Sequence, residues 1–384
     1  QFFGWRLNMS LKRRKFLYSS GAVFISIFAK PFNLLSRSLR DKSLYLSSGA
    51  DLKNKYFFSA LNYTGKEKFR VQLPTRGHGS ARRPNTNEVA VFSRSPGRYI
   101  LVIDMSNGEK LTQIKSIEGR HFYGHGVFSP NGQMLYVTEN EYDSGKGLIG
   151  IYDTKDNYRL VDTISAHGIG PHAIELLSDG KTLVVANGGI LTHPDTGRVK
   201  LNLSELDSSL TYIEVPSGKL LFQKRLDKKL KLMSIRHLAV GPDENISLAM
   251  QYQGPRNHLL PLVGIQQGSG PIQLLTAPDK IAYKMRNYCG SISFNAKGNL
   301  IGVSSPRGGI ITFWSFPEKR FYSYLEVLDG CGIAAEDNTD NFLITNGLGK
   351  ILNYSPQREQ ADYHFLSKET QWDNHLLLAG NLIN

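Results

Sequence analysis

Residues 125–164 decide the fold. They open with His125-Gly126-Val127-Phe128-Ser129-Pro130-Asn131-Gly132-Gln133-Met134-Leu135-Tyr136-Val137-Thr138 and continue through a polar stretch from Glu139 to Lys146. Gly147-Leu148-Ile149-Gly150-Ile151-Tyr152-Asp153 follows, then Thr154-Lys155-Asp156-Asn157 and Arg159 to Ile164. Short runs rich in β-branched and aromatic residues alternate with Gly, Pro, Asn and Asp turns, which predicts four antiparallel strands. Gly126 to Phe128, Met134 to Thr138, Gly147 to Asp153 and Arg159 to Ile164 are those strands.

The head of this unit recurs along the chain. Gly77-His78-Gly79, Gly124-His125-Gly126, Pro171-His172-Ala173, Arg236-His237-Leu238, Tyr288-Cys289-Gly290, Gly330-Cys331-Gly332 and Asn374-His375-Leu376 are spaced by 47, 47, 65, 52, 42 and 44 residues. Most precede a short apolar strand and a Gly-containing turn. Four-stranded units at that period predict an all-β chain, a β-propeller. Six or eight blades are alternatives, and seven is the simplest count. The last copy, Trp372 to Leu378, reads as an inner strand without outer ones. Ser43 to Leu46, Tyr56 to Ala60 and Lys68 to Leu73 read as three outer strands without an inner one. Joining the two sets closes a seventh blade and hides the sheet edges.

A propeller brings equivalent repeat positions together around its axis. His78, His125, His172, His237, Cys289, Cys331 and His375 are therefore expected to form one ring, in the connections that enter the innermost strands. Imidazole and thiolate are the donors preferred by copper, zinc and iron, so the ring is a candidate site for Cu, Fe or Zn. A single histidine beside a glycine is more often only a hydrogen-bonding residue; the sevenfold recurrence sets ligand or anion binding level with that reading. The two cysteines, in adjacent blades, could instead form a disulfide. Long polar loops, Glu139 to Lys146, Asn187 to Asn202, Gln251 to Pro261 and Ser304 to Gly309, are expected to surround the same mouth. Arg76, Arg236, Arg286 and Arg307 fall near that face and suit a carboxylate or phosphate. His193 and Arg198 sit in the longest loop, and Glu139, Glu141 and Asp143 could add oxygen ligands.

The first 40 residues read as an N-terminal extension and export signal, and residues 41–384 as the propeller. Met9 is the expected start, with eight residues of upstream translation before it. Lys12-Arg13-Arg14-Lys15-Phe16-Leu17 resembles a twin-arginine signal and leads into the apolar run from Phe16 to Ala29, which is short for a membrane span. This predicts a periplasmic protein, with membrane attachment only if the signal stays uncleaved; a basic cytosolic tail is the alternative reading of the same residues. These 40 residues carry eight Lys or Arg and no Asp or Glu, so the formal charge of +13 falls to +5 for the remainder. Together with the lack of a basic run interleaved with aromatics, this excludes a nucleic-acid-binding balance.

Arg120-His121-Phe122-Tyr123-Gly124-His125-Gly126, His167-Gly168-Ile169-Gly170-Pro171-His172 and Asn187-Gly188-Gly189-Ile190-Leu191-Thr192-His193-Pro194 resemble the signatures of domain of unknown function 1513. Ser234-Ile235-Arg236-His237-Leu238-Ala239, Ser305-Pro306-Arg307-Gly308-Gly309 and Trp372-Asp373-Asn374-His375 do so as well. The resemblance implies an exported bacterial seven-bladed propeller of the lactonase-like or quinoprotein-like superfamily, associated with periplasmic iron-uptake proteins such as imelysin-like ones. It implies no established activity. Three functions follow as expectations. The first is a periplasmic binding propeller holding a metal or an anionic ligand in its mouth. The second is a lactonase-like hydrolase or metal-dependent oxidoreductase, and the third a cofactor-free interaction scaffold. No Gly-x-Ser-x-Gly elbow or Cys-x-x-Cys-His haem site supports the second.

Overall fold

The computed structural model describes residues 43–383 except Arg198; the export signal expected within the first 40 residues lies outside them. Seven four-stranded antiparallel sheets follow one another around a common axis. Blade 1 comprises Gly77–Arg82, Glu88–Ser93, Tyr99–Asp104 and Lys110–Lys115; blade 2 comprises Arg120–Phe128, Met134–Glu141, Lys146–Asp153 and Arg159–Ser165. Blades 3 to 6 begin with the inner strands Pro171–Leu176, Met233–Val240, Ser291–Phe294 and Gly330–Ala335. The chain is therefore a seven-bladed β-propeller, the architecture expected from the repeat.

Local chemistry explains the blades. In blade 2 the Asn131 carboxamide oxygen accepts from the Ser129 hydroxyl at 2.7 Å and from the Gln133 N–H at 3.0 Å. Gly132 takes a φ of +66°, which completes the turn. The middle strands are apolar on both faces because each blade packs against two neighbours. Phe92, Ile100 and Val102 of blade 1 meet Phe122, Leu135 and Val137 of blade 2 in one buried cluster. Each such side chain contributes about 1.5–3 kcal/mol on burial. Fourth strands face solvent and alternate, as in the Arg159–Ser165 strand.

The seventh blade closes as the sequence predicts. Thr370–Gly380 is its inner strand and pairs with Leu44–Asp51, followed outward by Tyr56–Leu61 and Glu67–Gln72. Tyr45 lies opposite Leu378 and Ser47 opposite Leu376. The Ser47 hydroxyl donates to the His375 carbonyl at 2.8 Å, so closure of the ring also pins one histidine.

The sequence did not reveal how the inner strands carry the ring residues. All but Cys289 lie within the strands, at breaks in register, rather than in the connections ahead of them. Register shifts fall between Gly77 and Ser80, Phe122 and Gly126, Pro171 and Ala173, Ile235 and His237, and Gly330 and Ile333. Another falls opposite Trp372 to Leu376. A bulge frees one residue from pairing and re-aims its side chain. Repeated around the axis, it turns side chains toward the centre.

Candidate metal centre

Five of the seven expected residues converge. The imidazoles of His78, His125, His172, His237 and His375 pack together, with ring centroids 4.4–6.0 Å apart in eight of their ten pairings. One ligand atom from each of His78, His125 and His172 lies within 4.8 Å of the others, and the same holds for His125, His237 and His375. His125 belongs to both sets. His78 Nε2 and His375 Nε2 are 3.3 Å apart, which links the two sets into one cluster. Two nitrogens bound to one ion at about 2.0–2.1 Å in tetrahedral geometry would also be about 3.3 Å apart.

Glycines make this crowding possible. Gly124 has a φ of +102°, and a Cβ there would meet His78 Cδ2 at 2.7 Å. A Cβ at Gly79 would lie 2.7 Å from the Gly124 carbonyl oxygen and 3.0 Å from His125 Nδ1.

The cluster is electrically neutral. Burial, reinforced by neighbouring histidines and Arg236, holds His125, His172 and His237 well below the ordinary histidine value. Burial does the same for His375, with His78 adding to it. His78 is also lowered by burial, against the pull of Asp373. Burial alone would raise Asp373, but the His78 ring and the Arg76 and Arg94 guanidiniums outweigh it and hold this carboxyl far below its usual range. The ionised Asp373 accepts from His78 Nδ1 at 3.3 Å and from Arg76 Nε at 2.5 Å. His78 Nε2 is then left with its lone pair facing the cluster. A carboxylate that orients a histidine in this way is the usual outer support of a metal ligand. His125 Nε2, His172 Nδ1 and His237 Nδ1 are buried without a hydrogen-bond partner.

The two thiols do not join. Cys289 precedes its inner strand and packs in the apolar cluster with Met250 and Leu262, its Sγ 3.9 Å from the Leu262 carbonyl. Cys331 sits in its bulge, but its Sγ donates to the Asp329 carbonyl at 3.1 Å. Burial pushes Cys289 up to about 12 and Cys331 well above the ordinary thiol value, which disfavours the thiolate a metal needs. Both are free, so the expected seven-member ring is a five-histidine cluster with no disulfide beside it.

The anion and oxygen ligands expected from the loops divide. Arg236 and Arg307 line a cavity of about 200 Å³ above the histidines, together with Lys200, Tyr123 and Tyr288. Arg76 is engaged by Asp373. Arg286 is exposed on a left-handed turn (φ +49°) after a short helix, Asp279–Lys284, that carries Tyr288 to the mouth instead. Glu139 is not a loop residue: its strand extends to Glu141, and the buried carboxylate accepts from Tyr152 Oη at 2.6 Å with Arg120 at 3.5 Å. His193 contacts Asp143 at 3.2 Å at the rim, and neither lines the cavity. Arg198 lies outside the described residues. Asp373, Lys200 and Tyr123 were missed as site residues. Only Asp373 carried a signal, its place two residues before His375.

A family model described as "Protein of unknown function (DUF1513)" matches residues 71–379. The chain belongs to this family. The match spans the inner strands of all seven blades of this DUF1513 protein, and with them every histidine of the cluster. Among solved structures it is similar to Kuenenia stuttgartiensis hydrazine synthase, at 15% identity, with a TM-score of 0.58 over 91% of this chain and 100% of that one. At that identity the likeness concerns the fold alone. No curated protein matches the sequence of this DUF1513 propeller.

Proposed function

We propose that this propeller is a transition-metal-binding protein whose hub holds copper, zinc or iron through imidazole nitrogens. The observation that carries the reading is the set of five converging neutral imidazoles, three with a buried unpartnered ring nitrogen. Neutral imidazole is the form that ligates, and an all-nitrogen set suits zinc, copper and iron. In a purely structural cluster each such unmade bond would cost about 1–3 kcal/mol. Elemental analysis of the purified protein tests this. Copper, zinc or iron near one equivalent per chain is expected, with loss in His125→Ala, since His125 serves both ligand sets. Metal-free protein that takes up none of the three ions on titration overturns it.

Two further parts of the reading rest on the sequence. The run Lys12 to Leu17 supports twin-arginine export to the periplasm, and the resemblance implies a role in iron uptake beside an imelysin-like partner. Cell fractionation of the wild type and of Arg13→Lys/Arg14→Lys tests the first, with retention in the cytoplasm expected for the variant. Co-purification of the native protein with an imelysin-like protein tests the second; its failure leaves the metal site unaffected.

A further inference from the structure

The two ends of the axis differ in charge. The cavity at the mouth is lined by His78, His172 and His237 on its floor, and above them by Arg94, Lys200, Arg236 and Arg307. No Asp or Glu among the described residues lines it. The cavity on the other side of the cluster, about 470 Å³, touches His125, His237 and His375 and is otherwise mostly apolar; its lining includes Glu175 and no Lys or Arg.

We propose that the mouth is a binding site for a small, multiply charged anion, a phosphate or a di- or tricarboxylate, seated between Lys200, Arg236 and Arg307. This goes beyond the metal reading, because the seat consists of protein cations and needs no ion. Arg307 lies over the Tyr288 ring, 4.0 Å from its centroid, which fixes the guanidinium plane and leaves its N–H edge for a ligand. Lys200 donates to the Gln253 amide oxygen. Burial and the nearby Arg307 and Arg236 push the Lys200 ammonium down, so the three cations sit within one another's field. Arg236 is carried by the bulge beside His237. Tyr123 lines the same cavity and offers a phenolic O–H beside the three cations. Drug-sized sites occupy about 300–1,000 Å³, so a cavity of about 200 Å³ suits a small molecule.

Isothermal titration with inorganic phosphate and with citrate, at neutral pH and low salt, tests the proposal on protein as purified and after chelation. One equivalent of at least one probe is expected to bind in both states. The tighter of the two names the ligand class. Binding should weaken about tenfold or more in Arg236→Gln and in Arg307→Gln, as expected for a lost charged hydrogen bond. His125→Ala should still bind. The Arg307→Gln arm guards against misfolding of Arg236→Gln, because Arg307 lies at the mouth rather than within a strand. Failure of both probes at roughly millimolar concentration overturns the proposal. So does affinity unchanged in Arg236→Gln/Arg307→Gln, or binding lost only in His125→Ala, which would put the anion on a metal.

Discussion

Acidification should unfold the metal-free protein over a narrow range, because the hub stores imidazoles that gain protons only in the unfolded chain. His125, His172, His237 and His375 all lie well below the unfolded value of 6.5. Their folded values are depressed, so the stability they lend is intact above that value and is lost as the pH falls below it. Each such group removes about 1.4 kcal/mol per pH unit, and the four together about 5. Glu175 works in the opposite sense: burial holds it up to about 7 against an ordinary 4.5, so between those values the folded state binds the extra proton. It offsets about 1.4 kcal/mol per unit, which leaves a net loss of about 4 kcal/mol per pH unit. His121, pushed down to about 4 chiefly by burial, adds to that loss. Domain stabilities of about 5–15 kcal/mol do not survive such a slope for long. Urea titrations of chelated protein from about pH 8 to pH 5, followed by tryptophan fluorescence, measure it. A net slope under about 1.5 kcal/mol per unit below pH 6 would refute the neutral buried cluster. Glu175→Gln should steepen the slope by about 1.4 kcal/mol per unit.

Three further outcomes follow from the same geometry. Asp373→Asn removes the ionised carboxylate behind His78 and should weaken metal binding about 10–100-fold in a chelator competition, with the fold retained. Gly124→Ala forces a Cβ into His78 at a φ of +102° and should cost about 1–3 kcal/mol in urea melts while also lowering metal affinity. Cys289→Ser and Cys331→Ser should leave metal content unchanged by elemental analysis. The first should also melt at a lower temperature, since its hydroxyl enters an apolar cluster.

Architecture could be read from the chain because it rests on local pattern. The turn Ser129-Pro130-Asn131-Gly132 and the lone strand around His375 each point to one arrangement, and the blade closure follows from counting. The five histidines could be read for the same reason, as a residue repeated at one position of a closed ring must converge. Their exact setting could not, because a bulge is a matter of register between strands. Cys331 occupies the same kind of bulge as the histidines, yet its thiol turns back to Asp329. Cys289 shows the related failure: its string matches the repeat, but its strand starts later and the side chain drops into the core. Glu139 read as a loop charge because the sequence gives no sign that its strand continues to Glu141 and that Tyr152 waits across it. Asp373 is signalled only by its place two residues before His375, and Lys200 depends on a contact with Gln253 in another loop, which no local pattern encodes.

X-ray absorption at the metal edge of the purified protein would bear on the hub directly. A first shell of imidazole nitrogens at about 2.0–2.1 Å, with no sulfur shell near 2.3 Å, is the predicted result. A sulfur shell at that distance would return the cysteines to the site. A shell of oxygens alone would place the metal outside the histidines, and either result would contradict the five-histidine centre.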